Sequence, residues 1–301
     1  MEISELQKDL AAAFRWTAKL NMHEGIANHF SVCKPNSNDF YVNGSGMHFS
    51  TIRASDLVLV EQNKIEEIKK NPDLVDPTAI NIHGAIHKKV PHARCILHVH
   101  SKYATALSVL KNPELPPIDQ NTMRFYKRVA VYDDFGGLGF EEESNKMANS
   151  IGNNRSMLLA NHGILTTGQT VAEAFDELYY FEKACETYIT ALSTQKELKI
   201  VTPDVAEKTA QDWENYPTGL GELHLNPRVH GVNSAVGHLR RSDLNFPMSE
   251  EDQQTPQPPK KDAEDAPEAP APAPAPTIPL KPASNAPRPA APTPAAPAPS
   301  S

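Results

Sequence analysis

The sequence predicts an α/β protein, a mixed sheet with helices on both faces. Apolar residues switch along the chain between a period near 3.6 and short runs bounded by turn residues. Several of those short runs follow one another directly, as strands joined by hairpins do. The proline distribution sets the size of the folded part. Of 27 prolines in 301 residues, 16 fall between Asp252 and Ser301, a span with 13 alanines and no aromatic residue. Such a segment buries too little apolar surface to offset the entropy of ordering. Residues 252–301 therefore read as a disordered tail, and about 250 residues remain for one large domain or two small ones.

The elements are expected in this order. Residues 4–20 form an amphipathic helix, with Leu6, Leu10, Ala13, Phe14 and Leu20 near one period and Ser4 as its cap. Phe30 to Cys33 is a strand, followed by a turn over Pro35 to Asp39 and a second strand, Phe40 to Val42, that ends at Gly44-Ser45-Gly46. Leu57 to Val60 is a third strand. Ala79, Ile82, Ile86 and Val90 recur at three and four, so Thr78 to Val90 is a helix that stops before Pro91. Cys95 to His100 is a strand and Tyr103 to Leu110 a helix. Val129 to Tyr132 is a strand, Glu141 to Ile151 a helix, and Met157 to Leu165 one strongly apolar strand. Val171 to Leu192 is a long helix with Ala174, Leu178, Phe181, Ala184, Cys185 and Tyr188 on one stripe. From Thr202 the pattern weakens, and residues 201–251 read as an extension packed on or beside the domain of residues 1–200.

Charge and cysteine usage narrow the function. The net charge is −8, of which the tail supplies −1, and no basic run exceeds a pair. That excludes nucleic acid or an anionic membrane as the main partner. Cys33, Cys95 and Cys185 are odd in number and far apart, which suits a reducing compartment with thiols as small apolar residues. No signal core opens the chain and no apolar run approaches the roughly 18 residues of a membrane span. A soluble, cytoplasmic protein is expected.

Three histidines carry the chemistry. In Ile96-Leu97-His98-Val99-His100, strand alternation puts positions 98 and 100 on one face, about 7 Å apart along the strand. Two such imidazoles can bind one metal ion, or simply sit on a solvated strand face. Asn161-His162-Gly163 interrupts the apolar run from Met157 to Leu165. Histidine beside glycine is poor core filling, and the glycine suggests close approach of backbone or ligand. Three neutral imidazoles with an open position make a catalytic site for zinc or another borderline divalent ion.

The ordered set Glu24 to Ser31, Ser45-Gly46, Ala54 to Leu57, Ile82-His83, Pro91 to Ala93, Leu97 to Ser101, Ala104 to Ser108, Leu159 to Gly163 and the helix from Ala172 to Glu186 resembles the class II aldolase/adducin N-terminal domain family. The resemblance covers roughly residues 5–200. It implies a three-layer α/β/α sandwich with a central, mainly antiparallel sheet, and a homotetramer with sites between subunits. By position it makes His98, His100 and His162 the metal ligands, usually for zinc, with manganese or iron as alternatives. It places Asn28, Ser45 and Gly46 where relatives bind phosphate. A small-residue loop with free N–H groups suits an anion, and a plain tight turn is the alternative there.

Two positions depart from that pattern. The aldolases carry a glutamate, their general base, four residues before the histidine matched by His83, and here it is Ala79. The tyrosine proton donor matches Gln120. General acid–base work is worth about 10²–10⁴-fold, so family-type aldol cleavage should be impaired. Asp76-Pro77-Thr78 also replaces serines that help hold phosphate, which puts phosphorylated substrates in doubt. Positions 79 and 83 share a helix face, so His83 is a candidate base with His87 as its partner, unless it only packs beneath the site.

The leading expectation is a metal-dependent lyase acting on a small hydroxy- or oxo-acid by decarboxylation, dehydration or modified aldol cleavage. One alternative is a non-haem iron oxygenase on the same fold. The other is a non-catalytic adducin-like protein binding the cytoskeleton, for which this tail lacks the lysine cluster. A minor possibility is partner docking through Pro256 to Lys260 as an extended proline helix.

Overall fold

The computed structural model describes residues 3–134, 136–137, 141–216 and 220–226. All of them fall within one unit, Met1–Pro247. The expected tail over 252–301, Pro256 to Lys260, His230 and His238 lie outside the described residues.

The first element is α1, Glu5–Lys19. The Gln7 N–H donates to the Ser4 hydroxyl at 3.4 Å, and the Ser4 N–H donates back to the Gln7 side chain at 3.1 Å. This reciprocal cap explains why the helix starts there. Strands β1 (His29–Cys33), β2 (Phe40–Val42) and β3 (Val58–Val60) follow as a meander, and a short helix α2 (Ile65–Ile68) leads on from it. Helix α3 runs Pro77–Lys89, with Pro77 in its first turn and the Asp76 carboxylate accepting from the Thr78 N–H at 2.7 Å. Strand β4 (Cys95–Val99) leads into α4 (Lys102–Ser108). Next come α5 (Gln120–Arg124), β5 (Val129–Tyr132) and α6 (Glu141–Ser150). Strands β6 (Ser156–Leu159) and β7 (Gly163–Gly168) precede the long α7 (Val171–Ser193). Helices α8 (Pro203–Glu214) and α9 (Leu220–Leu225) close the described chain.

Among the described residues the strands form one sheet in the order β3-β2-β1-β4-β7-β6-β5. Every pairing is antiparallel except β5 with β6. Alternation along the central strands sorts the two faces. Phe30, Val32, Cys95, Leu97, Val99, Leu158 and Ile164 join Phe14 of α1 and Phe175, Leu178 and Phe181 of α7 in one core. Ile96, Met157, Leu159 and Leu165 point the other way, onto Ile82 and Ile86 of α3 and Met147 of α6. The fold is thus an α/β/α sandwich around a mainly antiparallel sheet.

One expectation needs correction. The apolar run from Met157 to Leu165 is two strands rather than one. Residues 160–162 turn between β6 and β7, with Asn161 at φ +57°. Both arms of this hairpin are buried, so they read as one continuous apolar run, and asparagine is among the few residues that tolerate the left-handed turn. The described part of the extension after Thr202 packs on the domain. Helix α8 lies on α5 and α9 on α7. The indole of Trp16 donates to the Leu225 carbonyl at 3.1 Å. His224 is half-buried among Phe175, Tyr179 and Tyr180, with Nδ1 2.9 Å from the Asp176 carboxylate. No helix among the described residues is long and apolar enough to cross a membrane. The three cysteines are free and buried.

Candidate metal centre

The sheet brings His98, His100 and His162 together at the end of β4. His98 is the fourth residue of β4 and shares the face of Ile96, toward α3 and α6. The strand ends at Val99, so His100 lies just beyond it, and His162 lies on the β6–β7 turn. The His98 ring centroid is 5.0 Å from that of His100 and 4.8 Å from that of His162, and the last two are 4.7 Å apart. One ligand nitrogen from each lies within 4.8 Å of the others.

Gly163 makes this convergence possible. A Cβ there would sit 2.5 Å from the Val99 carbonyl oxygen and 3.1 Å from Cδ2 of His100. Only glycine lets β7 lie this close to the chain that carries His100, which is the close approach its place in the sequence suggested.

Hydrogen bonds fix which nitrogens are free. His98 Nδ1 is 3.0 Å from the Ile164 carbonyl, which can only accept, so Nδ1 carries the proton. His100 Nδ1 is 2.6 Å from the Glu24 carboxylate and donates in the same way. In the neutral rings both Nε2 atoms are therefore bare, and they face each other at 3.2 Å. Two lone pairs cannot hydrogen-bond to one another. Two nitrogens bound at about 2.0–2.1 Å to one tetrahedral ion stand roughly 3.3 Å apart. The carbonyl and carboxylate partners are the outer supports that orient metal-binding imidazoles. Burial first, and then the neighbouring imidazoles, hold His98 well below its ordinary pKa. Burial and His100 lower His162 to about 4. The rings of His98 and His162 are thus kept neutral near neutral pH, the form in which an imidazole binds a metal.

A second group of histidines lies beside the first. His29 pairs with His98 across the β1–β4 ladder, their rings 4.9 Å apart. His29 Nδ1 lies 2.7 Å from Nε2 of His83, and the other nitrogen of His83 lies 2.5 Å from the Ser31 hydroxyl. Ser31 also meets His87 Nε2 at 2.7 Å, and His87 Nδ1 meets the Ala93 carbonyl at 2.7 Å. His83 is fully buried with both nitrogens engaged inside the protein, so it presents no lone pair to a substrate. His29 and Ser31 escaped the sequence reading. The available signal was their alternation on one strand, opposite the 83/87 face of a helix.

The remaining candidates are placed as follows. Asn28 is buried, its side-chain Oδ1 accepting from the Glu24 N–H at 2.7 Å, while its Nδ2 has no partner among the described residues. Gly46 is exposed at φ +68° with open space around it. The Ser45 N–H, expected free for an anion, donates to the Leu74 carbonyl at 3.1 Å. That leaves the exposed Gly46 end of the loop as its open part. Gln120 is the first residue of α5, exposed behind an Asp119 cap. Helix α5 packs in the α7 layer, across the sheet from His83, so one chain does not bring the two together. Ala79 is fully buried against Val42, Val60, Val75 and Ile80. At the position that the resemblance gives to the family's general base, a methyl group thus lies in an apolar cluster.

Comparison with known proteins agrees with this architecture. Residues 8–189 match the family model described as Class II Aldolase and Adducin N-terminal domain. Decarboxylase NovR of Streptomyces niveus is 29% identical over 237 residues, covering 75% of this chain and 87% of that protein. The crystal structure of an aldolase II superfamily protein from Pseudomonas syringae superposes with a TM-score of 0.67 at 30% identity, covering 74% of this chain and 90% of that one. The L-fuculose 1-phosphate aldolase of Glaciozyma antarctica PI12 gives a TM-score of 0.60 at 30% identity, covering 69% and 80%. With more than half of its length matched by the family model, the chain belongs to the class II aldolase and adducin N-terminal domain family.

Proposed function

We propose that this protein is a divalent-metal-dependent lyase acting on a small hydroxy- or oxo-acid, with His98, His100 and His162 as the ligands and zinc as the metal. The observation that carries the reading is the pair of bare Nε2 atoms facing each other at 3.2 Å, each ring locked by a proton acceptor on its far side. Bound there, the metal would polarise a carbonyl or carboxylate oxygen of the substrate as a Lewis acid.

The chain's own residues supply the rest. The buried, unpartnered Nδ2 of Asn28 is a donor suited to a carboxylate oxygen of the substrate. With Ala79 in place of a carboxylate, proton abstraction from that position is unavailable. Decarboxylation fits this better than aldol cleavage. The bond to the departing carboxylate breaks, its electron pair stays on the substrate carbon, and a proton is needed only afterwards. The similarity to Decarboxylase NovR points the same way. A homo-oligomer, the homotetramer included, belongs to the same proposal.

The test is elemental analysis of anaerobically purified protein, followed by a screen of oxo- and hydroxy-acids for release of carbon dioxide. One zinc per chain, lost in His98→Ala, is expected together with turnover of an oxo-acid. Metal-free wild type with an inert His98→Ala variant would sink the reading, and stoichiometric iron with oxygen uptake would replace it by the oxygenase.

A further inference from the structure

The buried string next to the metal centre has a direction. It ends on the Ala93 carbonyl, which only accepts, so His87 carries its proton on Nδ1 and its Nε2 is an acceptor. The Ser31 hydroxyl must therefore donate to His87, and its oxygen accepts from Nδ1 of His83. Nε2 of His83 is then bare and accepts from Nδ1 of His29. Burial keeps the string neutral, with His87 lowered to about 3. Each ring is thereby set in one tautomer by the next, starting from a backbone atom.

The far end is Nε2 of His29, left as an acceptor. The Thr78 hydroxyl lies 3.5 Å from it and already donates its proton to Asp76 at 2.6 Å. So this lone pair has no donor among the described contacts. His29 is 4% exposed where His83 is 0%, and its ring lies against His98.

We propose that Ser31 and His87 are positioning residues which, through His83, hold His29 in the tautomer whose bare Nε2 accepts a hydrogen bond from a hydroxyl group of the substrate. The proposal rests on the metal-centre reading for where the substrate lies. The tautomers themselves follow from hydrogen-bond geometry alone.

The test uses the full chain labelled with ¹⁵N-histidine and long-range proton–nitrogen correlation spectra, metal-free and zinc-loaded. His29, His83 and His87 should each show the Nδ1–H form. Ser31→Ala should leave His98 and His100 unchanged but turn His83 and His29 into tautomer mixtures, an effect two hydrogen bonds from the deleted atom. On the zinc-loaded protein, glycolate should bind about tenfold more tightly than acetate, the worth of one hydrogen bond, and Ser31→Ala should abolish that preference. An Nε2–H form at any of the three wild-type rings overturns the positioning role even if Ser31→Ala does not fold. So does a His29 signal indifferent to Ser31→Ala. Equal glycolate and acetate binding overturns the hydroxyl acceptor. Failure of zinc to bind overturns the metal reading and the hydroxyl acceptor with it, while the metal-free spectra still decide the positioning role.

Discussion

Gly163 lies against the backbone of His100 so closely that an added Cβ would meet the ring carbon Cδ2 at 3.1 Å and the preceding carbonyl oxygen at 2.5 Å. The candidate metal centre is therefore shaped by a missing side chain. Gly163→Ala must push β7 away from His100 and carry His162, on the adjoining turn, away from the rings of His98 and His100. Zinc affinity should fall at least as far as it does for loss of an outer support, about 10–100-fold. Competition with a chromophoric chelator measures this, and unchanged affinity would contradict the geometry.

Glu24 tests the electrostatic support alone. It is exposed and holds Nδ1 of His100 at 2.6 Å. Glu24→Gln keeps an acceptor but removes the charge, while Glu24→Ala removes both. Zinc affinity should fall in the order wild type, Gln, Ala, by about 10–100-fold overall, with the thermal midpoint of the metal-free protein unmoved. A drop in that midpoint would show that the pair serves the fold instead.

Glu182 ties the longest helix to the segment after His100. Its buried carboxylate accepts from the Ser101 hydroxyl at 2.6 Å and from the N–H groups of Tyr103 and Ala104, both at 2.9 Å. It caps the start of α4 from another element. Glu182→Ala strands these donors in the interior, and loss of about 3 kcal/mol or more is expected from chemical denaturation. Glu182→Gln should recover part of it.

Acid should unfold the protein through its neutral buried histidines. His87 takes up a proton near 6.5 when unfolded but only near 3 when folded, because burial outweighs the carbonyl that favours its charge. Below pH 6.5 the unfolded state therefore binds more protons, and stability falls with falling pH until about 3. Each such group contributes about 1.4 kcal/mol per pH unit. Denaturation midpoints at pH 7 and pH 5 should differ accordingly, and His87→Gln should shrink the difference. A pH-independent midpoint would argue that His87 is not buried as a neutral ring.

Much of the architecture was legible because it rests on local patterns. The Ser4 cap, the 3.6 period of α3 and α7 and the apolar strand β4 all come from neighbouring residues. His98, His100 and His162 were legible as candidates because spacing and a flanking glycine mark them. What escaped depends on pairing between distant segments. That His29 stands opposite His98 is a matter of register, and no local period encodes register between residues 69 positions apart. The hairpin at Asn161 was hidden because both of its arms are buried and apolar. Helix α9 was hidden because its six residues are too few to show a period, and its anchor, His224 on Asp176, is again a distant pair.

The hydrogen-bonded string from His29 to the Ala93 carbonyl also serves as a clock. Its imidazole protons lie sealed between α3 and the sheet, so they can exchange with solvent only when that helix lifts away. The rate at which deuterium reaches Nδ1 of His87 would then time the opening of one layer of the sandwich.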